Sequence, residues 1–135
     1  QDDMTTINQN LLRRWNILYR QNPTYLKKVI RPFHDVLRRS WESAARGESS
    51  AGCIEVYSAH DSTVFALLND LELTYNISLF NPKTSILGEN GNYIPPYAST
   101  VCLALYQKEN CDWWVSASFS STNGGASDQF KALNN

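Results

Sequence analysis

The chain has 135 residues, 42% hydrophobic and 19% charged, which excludes a disordered tail and supplies apolar surface for one core. A formal charge of −1 speaks against a general nucleic-acid or membrane-surface role, and no run approaches the ~20 apolar residues of a membrane helix. The three cysteines (Cys53, Cys102 and Cys111) show no C-x-x-C spacing, so they provide neither a metal framework nor a complete disulfide set.

The start, Gln1-Asp2-Asp3-Met4, has neither the charged nor the apolar region of a signal peptide. Because it does not begin with Met, the simplest account places Gln1 inside a longer translation product. Leu11, Leu12, Trp15, Leu18 and Tyr19 then share one helical face. Asn22-Pro23-Thr24 interrupts, with Thr24 the expected cap of the next helix. A second periodic stretch runs through Tyr25, Leu26, Val29, Ile30, Phe33, Val36, Leu37, Trp41 and Ala44. Pro32 is expected to end or kink it and to open a fresh helix. Gly47 and the Ser-rich segment 48–52 close this helical portion, residues 1–47.

Nine basic side chains lie between Leu11 and Arg46 (Arg13, Arg14, Arg20, Lys27, Lys28, Arg31, Arg38, Arg39 and Arg46), against only Asp35 and Glu42. Their helical spacing predicts a solvated face rather than a polyanion-binding one. His34 sits in the same stretch with no ligand at suitable spacing, and reads as a surface or helix-packing histidine.

The character changes at Cys53. Residues Cys53–Ser58 read as a short β-branched and aromatic strand. His60-Asp61-Ser62-Thr63 follows, and Val64, Phe65, Leu67, Leu68 and Leu71 then recur at helical spacing. Residues 74–96 read as a loop, rich in Pro, Gly and Asn. Alternation in Ser99–Gln107 and Trp113–Phe119 predicts an antiparallel hairpin, with Trp113, Trp114 and Trp41 used for packing. Cys102 and Cys111 are close enough in sequence to meet across it. The α/β core portion is thus 53–119, and 120–135 is a polar, Gly-rich, extended or mobile tail. Asn76-Ile77-Ser78 makes Asn76 a glycosylation candidate.

His60 and Asp61 are the candidates for chemistry. They are expected at the carboxyl end of a strand and ahead of a helix, an edge where ligands bind in open α/β sheets. Free backbone N–H groups and the helix dipole there favour an anion such as phosphate. A histidine that binds phosphate oxygens, beside a carboxyl that protonates a leaving alkoxide, is half of a phosphomonoesterase site. The competing role for Asp61 is as the helix N-cap.

The run Val56-Tyr57-Ser58-Ala59-His60-Asp61-Ser62-Thr63-Val64, with an apolar helix after it, resembles the second signature of the histidine acid phosphatases. Pro95-Pro96-Tyr97-Ala98-Ser99, continuing to Leu105-Tyr106, resembles the strand that follows in that family. The likeness covers about Pro32 to Phe119 and implies the C-terminal part of a histidine-phosphatase α/β fold: N-terminal helices, a strand-turn-helix, then a hairpin. It further implies a phosphohistidine mechanism without cofactor or metal, in which His60 binds the phosphoryl group and Asp61 donates the proton. Ser62-Thr63 after His-Asp is closer to the general acid phosphatases than to the phytases.

The family's Arg-His-Gly nucleophile motif occurs nowhere in this chain. The resemblance therefore implies a piece of a longer, secreted or lysosomal phosphatase, inactive alone. Its partners would be a phosphomonoester, the missing N-terminal portion of the same protein and a second copy in a homodimer, with no nucleic acid. A non-catalytic phosphatase-like binding protein and a basic helical interaction module are the rival readings. The reading frame upstream of Gln1 is expected to encode an in-frame Arg-His-Gly segment; a complete frame without one would favour the non-catalytic binder.

Overall fold

A computed structural model describes residues 2–48, 53–77, 79, 94–109, 111–120 and 127–132. The class is mixed α/β, with helices first and an antiparallel sheet after them. Helix α1 spans Asp2–Trp15, a single π turn Asn16–Arg20 follows, α2 spans Pro23–Ala45 and α3 Asp61–Tyr75. Strands β1 (Thr100–Gln107), β2 (Trp113–Ser120) and β3 (Ser127–Ala132) form one sheet in that order, antiparallel throughout.

Helix α3 is the centre. All seven residues from Phe65 to Leu71 are buried, because neighbours pack on every side of it. Ile30 of α2 joins Leu67, Leu68 and Leu71, and Ala117 and Phe119 close the cluster from the sheet. Register explains the sheet's apolar face: Val101 pairs with Phe119, Leu103 with Ala117 and Leu105 with Val115, so alternate residues point inward together. A second cluster joins Leu12 and Trp15 of α1 to Phe65, with the Trp15 and Phe65 rings 5.3 Å apart and tilted.

Four sequence expectations change. Helix α2 runs unbroken through Pro32. The proline is solvent-exposed, so water can take the Lys28 carbonyl that loses its donor. The cap of α2 is Asn22, not Thr24: its Oδ1 accepts from the Tyr25 N–H at 3.0 Å, and Pro23 occupies the first turn, where no donor is needed. Residues Cys53–Ser58 do not form a strand, and no strand lies beside them among the described residues. β propensity reflects fit to a pleated neighbour, and without one the sequence signal has nothing to express it. The polar tail, finally, contributes β3.

Other expectations hold. Helix α2 ends at Ala45 with Gly47 just beyond at φ +71°, a left-handed conformation that costs glycine little. The hairpin falls within a residue of its expected bounds. Asn76 ends α3 in the left-handed region, and the Ile77 N–H turns back to the Leu71 carbonyl at 2.9 Å. Most of the loop expected over 74–96 lies outside the described residues, although Thr74 and Tyr75 belong to α3.

If α3 is the centre, Leu68→Ala should lower stability by about 3 kcal/mol in urea denaturation, the usual cost of emptying a closed core position. A loss below about 1 kcal/mol would place the core elsewhere.

Candidate functional site

The approach to His60 is built on α2. The Ser40 hydroxyl donates to Glu55 Oε1 at 2.7 Å, the Tyr57 hydroxyl donates to Glu55 Oε2, and the Tyr57 ring meets Phe33 edge-on at 5.5 Å. Glu55 thus sits by Ser40 and Tyr57 by Phe33, so the segment runs antiparallel to α2. Hydrogen bonds from Tyr57 and then Ser40 hold the Glu55 carboxyl below its usual range, while the bond to Glu55 pushes the Tyr57 hydroxyl up. The other side of the segment is bare: Ile54 is 85% and Val56 87% exposed.

His60 ends the segment with extended backbone (φ −77°, ψ 159°), and α3 begins at Asp61. The His60 carbonyl accepts from the Thr63 and Val64 N–H groups at 3.0 and 3.1 Å. Its imidazole makes no cap bond. The N-cap position therefore belongs to His60, and Asp61 is the first helical residue. Asp61 Oδ1 accepts instead from the N–H of Ser62 at 2.7 Å. A carboxylate here is favoured by the positive end of the helix dipole, and it already engages one of the orphan donors. Both side chains are exposed, next to each other at the start of α3. That arrangement can present an imidazole and a carboxyl to one anionic ligand. Among the described residues no arginine bonds to either.

The other sequence candidates lie elsewhere. His34 meets Asp70, with Nε2 2.9 Å from Oδ2. Asp70 is about 14 Å along the α3 axis from Asp61, at 1.5 Å per residue, so the two histidines do not share a site. Asn76 is exposed, as glycosylation would require, though Ser78 of its sequon is outside the described residues. All three cysteines are free and exposed. Cys102 faces Ser118 across the hairpin while Cys111 lies in its turn, so pairing of the strands does not bring them together. Trp114 lies under Lys108, whose Nζ is 3.5 Å from the ring centroid.

The basic stretch is partly neutralised. Arg20 makes a two-pronged pair with Glu72 at 3.0 and 3.1 Å and reaches Asn69 Oδ1 at 3.4 Å. Arg38 pairs with Glu42 at 3.3 Å and Arg46 with Glu48 at 2.8 Å, and Arg31 stands 3.9 Å from Asp35. Such pairing of the stretch with acidic side chains inside and outside it weakens the field a polyanion would meet.

Sequence reasoning did not find the His34–Asp70 and Arg20–Glu72 contacts. The available signal was Asn69-Asp70 inside an otherwise apolar helical run, since polar groups buried there need partners. No protein family, no curated protein and no solved structure matches the chain.

Asp61→Asn keeps an oxygen for the Ser62 N–H and removes only a charge near the dipole. It should cost no more than about 0.5 kcal/mol in denaturation, and a loss above about 2 kcal/mol would make Asp61 a structural residue.

Proposed function

We propose that the chain supplies the phosphate-binding and proton-donating half of an acid phosphatase site acting on phosphomonoesters. The observation supporting this most directly is the exposed His60–Asp61 pair at the first turn of α3, within the run Val56–Val64 that resembles the histidine acid phosphatases. Exposure matters, because a proton donor must reach its substrate, and neither side chain is tied up by a neighbouring side chain among the described residues.

The chemistry follows from those two groups and a nucleophile contributed by another segment. A histidine of an Arg-His-Gly motif attacks phosphorus, and the bond to the ester oxygen breaks. The leaving alkoxide takes its proton from the Asp61 carboxyl, giving the alcohol and a phosphohistidine. Water then attacks phosphorus, with the Asp61 carboxylate taking its proton; the phosphorus–nitrogen bond breaks, and inorganic phosphate departs from the restored histidine. His60 and arginines of the other segment hold the phosphoryl oxygens as charge shifts. No step requires a cofactor or a metal.

A second reading draws on the lack of an Arg-His-Gly motif in this sequence. In it, the same pair binds a phosphorylated ligand without hydrolysing it. Secretion or a lysosomal location, and glycosylation at Asn76, belong to the first reading.

Kinetics separate the two readings in the protein that carries both halves. Asp61→Asn should lower kcat for alkyl phosphates by about 10²–10³-fold, and much less for an aryl phosphate whose leaving group needs no proton. Equal turnover of alkyl phosphates by the variant would remove Asp61 from the proton-donor role. An inactive wild-type protein that still binds phosphate would support the binder.

A further inference from the structure

We infer that Glu55 is a positioning residue for His60: by joining Ser40 of α2 to Tyr57, its carboxylate latches the approach segment and sets where the imidazole stands. The latch itself rests on its own contacts, and its bearing on a ligand rests on the phosphate role proposed for His60.

The segment ahead of α3 needs such a device. Among the described residues, no backbone group from Cys53 to Ala59 bonds to another backbone group, so no ladder holds this stretch. One flank is open to water, with Ile54 and Val56 largely exposed. On the other flank two hydroxyls converge on one carboxylate. Ser40 Oγ donates to Glu55 Oε1 at 2.7 Å, and the Tyr57 hydroxyl donates to Oε2. Each oxygen serves one donor, and an ionised acceptor makes such bonds stronger than a neutral one does.

The segment meets α2 at two points. Glu55 meets it at Ser40, and the Tyr57 ring meets Phe33 edge-on with centroids 5.5 Å apart. Phe33 and Ser40 lie about 10 Å apart along the α2 axis, at ~1.5 Å per residue. Two anchors so separated fix the direction of the segment as well as its place, and the Glu55–Tyr57 bond ties one anchor to the other.

His60 follows Tyr57 by way of Ser58 and Ala59, at most about 11 Å of chain. On its far side its carbonyl accepts from the Thr63 and Val64 N–H groups of α3. His60 is therefore held between the latch and α3. With the latch open it hinges on α3 alone, and its imidazole spends a smaller fraction of time where a ligand needs it. Apparent affinity falls by that fraction.

Ser40 supplies the cleanest variant, since it lies on α2 and bonds to Glu55 rather than to His60. The full chain would be compared as wild type, Ser40→Ala, Glu55→Ala, the double variant and Glu55→Gln, by amide order parameters and by titration with inorganic phosphate. In the wild type Val56 to Ala59 should be rigid, near about 0.85, and in both alanine variants they should fall below about 0.6 while α2 and α3 stay unchanged. The double variant should be no looser than Glu55→Ala, because one bridge is lost in both. Glu55→Gln, whose amide oxygen and NH2 group still bond hydroxyls, should restore the order. Phosphate affinity should weaken about three- to tenfold in the alanine variants and return in Glu55→Gln. A wild type that binds no phosphate while the alanine variants lose order would end the phosphate role of His60 and leave the latch standing. Unchanged order in Glu55→Ala would overturn the latch, as would lost order with wild-type phosphate affinity. Order lost throughout α2 and α3 would make Glu55 a structural residue and overturn it as well.

Discussion

The structure depends on one constraint: a helix whose middle, Phe65 to Leu71, is buried must carry two polar side chains into the core. Asn69 and Asp70 are fully buried in the middle of α3. Asn69 solves its own problem in part, donating to the Phe65 carbonyl at 2.8 Å one turn back. Beyond that both look outward for partners. Arg20 reaches Asn69 from the π turn, and His34 reaches Asp70 from α2. The apolar clusters give α3 its attraction to its neighbours, since hydrophobic burial is strong but indifferent to register. The Arg20–Asn69 hydrogen bond is directional and favours one rotation and one height of the π turn against α3, while His34 brings an ionisable partner from α2 to the buried Asp70.

This fixing of α3 bears on the candidate site. A first turn held on a helix packed by α1, α2 and the sheet presents His60 and Asp61 at a set position. The segment before it is held less evenly. Glu55 and Tyr57 tie it to α2, while Ile54 and Val56 face solvent and no strand pairs with it among the described residues. The candidate site thus combines a packed base with an approach supported on one side, which is compatible with the proposed completion by another segment.

Much of the fold was legible in the sequence because its signals are local. The heptad-like spacing through Leu26, Ile30 and Phe33, the alternation in Val101, Leu103 and Leu105, and Gly47 after α2 each report nearest-neighbour geometry. The errors share a cause. Pro32 breaks a helix in isolation, but its exposure here lets water repair the defect. Cys53–Ser58 has the residues of a strand, yet a strand is a relation between two segments, and the second is not among the described residues. Thr24 and Asn22 are both good caps, and only the position of Pro23 in the first turn decides between them. For the site, adjacency at the head of a helix was readable, whereas the long-range Arg20–Glu72 and His34–Asp70 pairs were not, because nothing local couples positions some 36 to 52 apart.

The phosphate site proposed at the head of α3 is centred on His60. Titration with inorganic phosphate at mildly acidic pH, followed by amide resonances, tests it most directly. Saturable shifts centred on His60, Asp61 and Ser62 are expected, and they should disappear in His60→Ala while the rest of the spectrum is preserved. Shifts centred on the basic face of α2, or none near His60, would contradict it.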